Sequence, residues 1–252
     1  IRNPLFTSYG LNTSALFGFI NQLLKIKKDE NPEYFACAFD SKGKTFRHEM
    51  YEEYKANRPP MPDDLQQQLP HLWEILDAMN VPVLKKDGVE ADDIIGTLAV
   101  RAQNEGLDTY IVSGDKDFMQ LINENTFLYA PGTKKSPNPV IYDSKKVEDK
   151  WGVPPEKIID LLGLMGDSSD NVPGVSGVGE KTAVKLIKKY GSLDGALENA
   201  DQVSNKRART GLQEGAENAR LSQDLVTIML DVEINSSLDD FISAKMNNSL
   251  CI

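Results

Sequence analysis

The sequence predicts an α/β domain, with a mainly parallel sheet flanked by helices, followed by an all-helical subdomain. Three observations carry this. Short apolar strand patterns alternate with helical spacing over the first 150 residues. From Lys150 onward, helices separated by Gly and Pro replace the strands. Acids cluster where the strands end. The chain has 252 residues, 40% hydrophobic and 26% charged, a globular composition of one large or two modest domains at roughly 100–200 residues each.

The elements follow in order. Residues 12–27 place Leu16, Phe19, Ile20, Leu23 and Leu24 at helical spacing behind Asn12 and Thr13 as a cap. YFACAF (34–39) reads as a short buried strand ending at Asp40. Residues 65–79 return to helical spacing through Leu65, Leu69, Leu72, Leu76 and Met79. VPVL (81–84) is a second strand, 90–106 a helix with acids at its start, and DTYIVSGD (108–115) the clearest strand. FLYA and PVIYD suggest a small antiparallel addition around 127–143. The boundary falls near 150–155, and the last residues, from Asn235, read as a linker or tail.

Composition excludes several classes. No run approaches the roughly 20 apolar residues of a membrane span. The opening residues lack the basic start and apolar core of a secretory signal. The chain opens on Ile1, so preceding residues are expected to be missing. Two cysteines, Cys37 and Cys251, make no disulfide framework, which points to a reducing, cytoplasmic setting. With only His48 and His71, any metal should be held by oxygen.

Four acidic clusters stand out. Asp40 follows the first strand, and Asp115 and Asp117 follow YIVSG. Glu90, Asp92 and Asp93 open a helix, while Asp167 and Asp170 lie in GDSSDN. Open α/β sheets bind ligands beyond the carboxyl ends of their strands, so the sheet would gather most of these acids in one cleft. Two unit charges about 4 Å apart repel by roughly 4 kcal/mol at an effective dielectric near 20. Divalent cations relieve that, and all-oxygen ligands suit Mg²⁺ or Mn²⁺. For any single acid, a helix dipole or turn is a sufficient rival explanation. The net charge of −10 argues against a nucleic-acid partner. Removing these eight acids from the 38 leaves 30 against 28 bases, which weakens that objection.

Two further segments suit phosphate. In VPGVSGVGEKTAVKLIKKYG (172–191), Glu180 interrupts a P-loop pattern and no strand precedes a dinucleotide fingerprint. What remains is a glycine hairpin, with Gly174, Gly177 and Gly179, opening into a helix with Lys181, Thr182, Lys185, Lys188 and Lys189. That arrangement fits one phosphate backbone contacted without base readout; a plain helical packing unit with a solvated lysine face is the alternative. In residues 41–62, Arg47, Tyr51, Tyr54, Lys55 and Arg58 share one face if the segment is helical. Such a face can neutralise phosphate and stack on bases, or simply be a solvated surface helix with its tyrosines packed inward.

Taken together, AFD (38–40), FRHEMYEEYKANRPPMP (46–62), GVEADDIIGTLA (88–99), IVSGDKDFMQL (111–121) and LMGDSSDNVPGVSGVGEKTA (164–183) resemble the 5′-nuclease domain of bacterial DNA polymerase I, related to the flap endonucleases. The resemblance runs from about residue 3 to 233. It implies a PIN-like nuclease domain over 1–152, with a helical arch at about 42–62. A helix–three-turn–helix DNA-binding subdomain over 153–232 and a linker or tail over 233–252 would follow. It implies two Mg²⁺ or Mn²⁺ ions on Asp40, Glu90, Asp92, Asp93, Asp115, Asp117, Asp167 and Asp170. Arg47, Lys55 and, more weakly, Arg58 would meet the scissile phosphate. Tyr51, Tyr54 and the hairpin would meet DNA, with K⁺ held by the carbonyls of Val175 and Val178.

The expected activity is metal-dependent hydrolysis of DNA near 5′ ends, flaps, nicks or branches, in primer removal and repair. Products would carry a 5′-phosphate and a 3′-hydroxyl. The protein is expected to be a bacterial cytoplasmic monomer, fused to or working with a DNA polymerase. The family normally opens with a strand ending in an acidic ligand, and this sequence starts after it. A catalytically impaired module that binds branched DNA is therefore the alternative.

Overall fold

The computed structural model describes residues 4–132 and 136–243. In chain order the elements are α1 (Ser14–Glu30), β1 (Cys37–Ala38), α2 (Phe46–Met50), α3 (Asp63–Gln66), α4 (Leu69–Ala78), β2 (Val83–Leu84), α5 (Ala91–Asn104), β3 (Thr109–Val112), β4 (Thr126–Ala130), β5 (Val140–Tyr142), α6 (Ser144–Trp151), α7 (Ile158–Met165), α8 (Glu180–Tyr190), α9 (Leu193–Glu198), α10 (Lys206–Glu214) and α11 (Ala216–Val226). Parallel pairing links β1 to β2 and β3 to β4, and β5 adds antiparallel to β4. The mixed α/β character and mainly parallel pairing follow the alternating pattern, but the strands form two small sheets, β1–β2 and β3–β4–β5, instead of the one sheet expected. Past residue 150 the described residues contain helices but no strand.

The contacts divide the chain into two compact units. Among the described residues, one comprises 4–39, 59–85 and 234–243. Its core is the apolar stripe of α1 and α4, with Leu23, Leu72, Leu76 and Val81 buried and Phe35, Phe39 and Trp73 packed against them. The predicted helix over 65–79 is divided into α3 and α4. Between them Gln68 turns its side-chain oxygen to the backbone N–H groups of Ala15 and Leu16. It thereby satisfies two donors that the start of α1 leaves without helical partners. Residues 235–243, expected as linker or tail, hold a 3-10 turn whose Phe241 is buried. Backbone bonds join Phe35 N–H to the Phe241 carbonyl and Ser243 N–H to the Glu33 carbonyl. Apolar burial and strand-like pairing hold this stretch despite its irregular sequence. The rest of that expected tail, including Cys251, lies outside the described residues. Cys37 is a free, half-buried thiol, and burial pushes its pKa up to about 11.

The other unit comprises, among the described residues, 40–58, 86–132 and 136–233. Its core joins Ile111 and Leu128 of the sheet to Leu161, Leu162 and Leu164 of α7, Leu212 of α10 and Leu225 of α11. This unit contains every candidate site residue. The expected arch helix is corrected here. Only α2 is helical, and extended backbone at Tyr51 ends it. Turns continue to Arg58, with Lys55 at φ +56 in the left-handed region. The five side chains therefore do not share one helical face. Tertiary bonds displace the helix: Lys55 N–H donates to the Asp170 carbonyl, Asn57 Nδ2 to the Ser168 carbonyl, and Asn171 Nδ2 to the Glu53 carbonyl.

Candidate functional site

The site is assembled from chain segments that end at one cleft of about 120 Å³. Asp40, Glu90, Asp92, Asp115, Asp117 and Asp170 line it, with Arg47, Tyr54, Lys55 and Arg58. Asp115 follows β3, and its side chain accepts the Asp117 backbone N–H at 3.0 Å, a local turn that fixes both acids. Asp40 accepts the Ala91 N–H at 2.8 Å, tying it to the start of α5. Asp167 and Val172 exchange backbone hydrogen bonds of 3.0 and 2.7 Å, closing the GDSSDN loop. One oxygen from each of Asp117, Asp167 and Asp170 lies within 4.8 Å of the others. Asp167 does not line the cleft itself but belongs to this trio.

The acids differ in their electrostatics. Burial, then Asp115 and Glu90, push the Asp92 carboxyl up to about 7. Burial also raises Asp117, to about 6, against the pull of Lys116. Asp167 moves the other way. Burial opposes its charge, but Lys116 Nζ at 2.5 Å and the Ser169 N–H and hydroxyl outweigh it and hold the carboxyl below its ordinary value. Closely packed carboxylates with raised pKa values are the environment that a divalent cation relieves.

Asp93 is separated from the others by its bonding. It is 0% exposed and accepts four hydrogen bonds, from Arg47 Nη1 and Nη2 at 2.8 Å and from the Glu90 and Met229 N–H groups at 2.9 Å. A carboxylate has about four lone-pair sites, so this one is saturated and has none left for a metal. Burial alone would raise its pKa, yet Arg47 and the backbone donors bring it below the ordinary range. The expectation of Asp93 as a ligand is thus corrected to a buried helix cap and ion-pair partner. Glu90 and Asp93 form a reciprocal capping box at the start of α5, and their i, i+3 spacing just before an apolar helical run was the available signal.

Arg47 is corrected with it. Its guanidinium also donates to the carbonyls of Leu225 at 2.8 Å and Thr227 at 2.7 Å, and the residue is 2% exposed. Those bonds hold α2 to α5 and to the end of α11 and commit the donors away from a phosphate. Tyr54 is 4% exposed, and its hydroxyl donates to Glu90 Oε2 at 3.1 Å, so it offers no face to a base. Tyr51 is half-buried against the core. Lys55 and Arg58 do remain at the cleft: Lys55 Nζ lies 2.5 Å from Glu90 Oε1 and 3.7 Å from Asp170 Oδ2, while Arg58 pairs with Asp170 Oδ1. Sequence reasoning passed over Lys116, which bridges Asp117 and Asp167; its place between Asp115 and Asp117 was the only clue.

The hairpin lies at the start of α8. Gly177, at φ +80, makes the turn against Arg207, and Val178 N–H donates to the Val175 carbonyl at 3.0 Å. Val175 and Val178 are both buried, and the Val175 N–H donates to the Leu164 carbonyl at 2.8 Å. Gly179 caps α8, whose Lys181, Lys185 and Lys188 are exposed one turn apart, with Thr182 half-buried. Gly174 is corrected: it is buried, at φ +63, where a Cβ would overlap the Gly166 backbone. Its N–H donates to Ser222 Oγ at 2.8 Å, so its part is internal packing.

Two family models match end to end: the 5′-3′ exonuclease, N-terminal resolvase-like domain over residues 1–152, and the 5′-3′ exonuclease, C-terminal SAM fold over 153–249. The chain belongs to the 5′-3′ exonuclease family. Among relatives of this exonuclease chain, a 5′-3′ exonuclease of Aquifex aeolicus is 40% identical over 237 residues, covering 94% of the chain and 79% of that protein. DNA polymerase I of Caldicellulosiruptor bescii is 42% identical over 244 residues, 96% of the chain but 29% of the polymerase. The chain thus spans 29% of that polymerase and 26% of the DNA polymerase I of Bacillus subtilis, to which it is 44% identical. Among solved structures, a T5 5′-exonuclease described as having bound divalent metal ions (zinc) aligns with TM-score 0.69 at 21% identity, covering 84% of the chain and 81% of that structure. At that identity the likeness shows that the exonuclease chain shares the fold.

Among the described residues, no helix is long and apolar enough to cross a membrane.

Proposed function

We propose that this chain hydrolyses DNA phosphodiesters near 5′ ends and flaps, leaving 5′-phosphate and 3′-hydroxyl products, as in primer removal and repair. The observation that carries the reading is the single cleft in which six acids face Lys55 and Arg58. Its donor set is all oxygen, which suits Mg²⁺ or Mn²⁺. Asp40, Glu90, Asp92 and Asp115 would serve one ion, and Asp117, Asp167 and Asp170 a second. A divalent ion held by these acids would supply Lewis acidity, both to activate a water and to neutralise phosphate charge.

The chain's own groups do the rest. Lys55 and Arg58, paired with Glu90 and Asp170 in the protein alone, exchange those partners for phosphoryl oxygens when DNA enters. They then offset charge that builds in the transition state. Arg47 works one step back, holding Asp93 and so the start of α5 that presents Glu90 and Asp92. Gly177, Gly179, Lys181, Thr182 and Lys185 meet the duplex backbone, with K⁺ on the carbonyls of Val175 and Val178. In this reading residues 1–152 carry most of the chemistry, joined by Asp167 and Asp170, and the rest of 153–232 supplies the grip. The protein acts as a monomer beside or within a DNA polymerase. Recognition comes from junction shape, because phosphate contacts carry no base code.

The test is incubation with a labelled 5′-flap duplex in Mg²⁺, in EDTA, and with Asp115→Asn. Cleavage that needs Mg²⁺ and is lost in the variant supports the reading. Binding of branched DNA without turnover supports a non-catalytic module instead.

A further inference from the structure

The acids proposed for the second ion already hold a cation of the chain's own. Lys116 Nζ lies 2.5 Å from Asp167 Oδ2 and 3.0 Å from Asp117 Oδ1. The choice of oxygens matters. Asp167 Oδ1 is taken by the Ser169 N–H and hydroxyl at 2.8 and 2.7 Å, so Oδ2 is the oxygen left for a ligand, and Lys116 covers it. On the far side of the trio, Arg58 and Lys55 hold the two oxygens of Asp170. Lys116 sits between Asp115 and Asp117 in sequence and caps the 3-10 turn that starts at Asp117. The backbone that aims those acids therefore aims the ammonium as well, and its side chain is only 28% exposed.

We infer that Lys116 is a resident counter-cation, which occupies the Asp117–Asp167 position in the metal-free protein and is displaced when a divalent ion binds there. The inference rests on the metal reading above. It follows from charge and space. A divalent ion at normal ligand distance from Asp167 Oδ2 and Asp117 Oδ1 would meet the ammonium within a few ångströms, a repulsion the site cannot screen well. Without an ion, three carboxylates would otherwise face one another across 4.8 Å. The lysine thus lowers the affinity of this position and keeps the empty site folded. A lysine that merely oriented the two acids would have the opposite effect on affinity.

The experiment is a calorimetric titration of EDTA-stripped protein with Mn²⁺, comparing the wild-type chain with Lys116→Gln, Lys116→Met and Lys116→Arg. The neutral variants should bind the weaker Mn²⁺ about tenfold more tightly than wild type, because one opposing charge is gone. They should also melt at lower temperature in EDTA. Lys116→Arg should stay near wild type in both. Mass-spectrometric acetylation of the wild-type chain gives a readout that needs no variant, since Lys116 should become more reactive when Mg²⁺ is added. Equal or weaker Mn²⁺ affinity in both neutral variants, or Lys116 reactivity unchanged by Mg²⁺, overturns the inference and leaves the metal reading standing. Absence of Mn²⁺ binding by any of the proteins overturns both.

Discussion

Arg47 and Asp93 are both buried, and each satisfies the other's charge. Removing one partner of such a pair leaves an uncompensated buried charge, which costs about 3–5 kcal/mol. Arg47→Ala should therefore lower the unfolding free energy obtained from urea titration by that much. Arg47→Lys should recover little of it, since a point charge cannot make two parallel bonds and also reach two carbonyls. A variant as stable as wild type would reject the assignment. The titrating acids make a second prediction at this scale. The raised carboxyls, Asp92 at about 7 and Asp117 at about 6, keep protons in the folded state that the unfolded chain has released. Their contribution to stability is lost as pH rises from the ordinary 3.8 through those values. Asp93 and Asp167, held low, work in the opposite sense: their contribution is present above the ordinary value and lost as pH falls through the folded one. Melting in EDTA should therefore weaken between about pH 4 and 7 through the first pair. Mn²⁺, which takes deprotonated ligands, should raise the melting temperature more at pH 7.5 than at pH 5.5. A metal effect independent of pH would count against these acids as the ligands.

Helix α8 and its hairpin make one device. The turn at Gly177 lies against Arg207 of α10, and Gly211 of the same helix comes so close that a Cβ would overlap the Ser176 carbonyl. Gly211→Ala should push the hairpin out of register, at a cost of about 1–3 kcal/mol from overpacking. Duplex binding should weaken with it. Lys181→Ala and Lys185→Ala touch no core, so their melting temperatures should stay near wild type while duplex affinity falls. Each should reduce the slope of log affinity against log salt by about 1, the signature of a lost phosphate contact. Unchanged salt slopes would reduce this face to a solvated lysine stripe. The segment between α2 and Arg58 makes the contrasting case. Its residue spacing permits a helix, yet Lys55 takes a left-handed conformation to donate its N–H to Asp170. Non-glycine residues in that region are uncommon and gather at functional sites, where the surroundings impose them.

At the scale of the molecule, saturating Mn²⁺ at neutral pH should stabilise the chain by mass action, by about 2.7 kcal/mol at a hundred times the dissociation constant. Asp115→Asn should blunt that gain along with flap cleavage. Failure of Mn²⁺ to shift melting would argue against any divalent site in the folded unit. The alternation of strands and helices, the change of texture near residue 150, and the cluster Asp40, Glu90, Asp92, Asp115, Asp117, Asp167 and Asp170 were all legible in sequence. Apolar period and strand-end chemistry are local properties, and the long motifs carried the family. The sequence could not separate Asp92 from Asp93. They are neighbours of the same type, and what distinguishes them is a guanidinium 46 residues away and a backbone N–H 136 residues away. Nor could it show Tyr54 turned inward to Glu90, or Lys116 lying across two ligands. Residue identity and spacing thus determined the fold class, the family and which charges exist. Tertiary packing alone decided which of those charges remain open to a ligand and which are spent on one another, because burial and hydrogen-bond saturation arise only when distant segments meet.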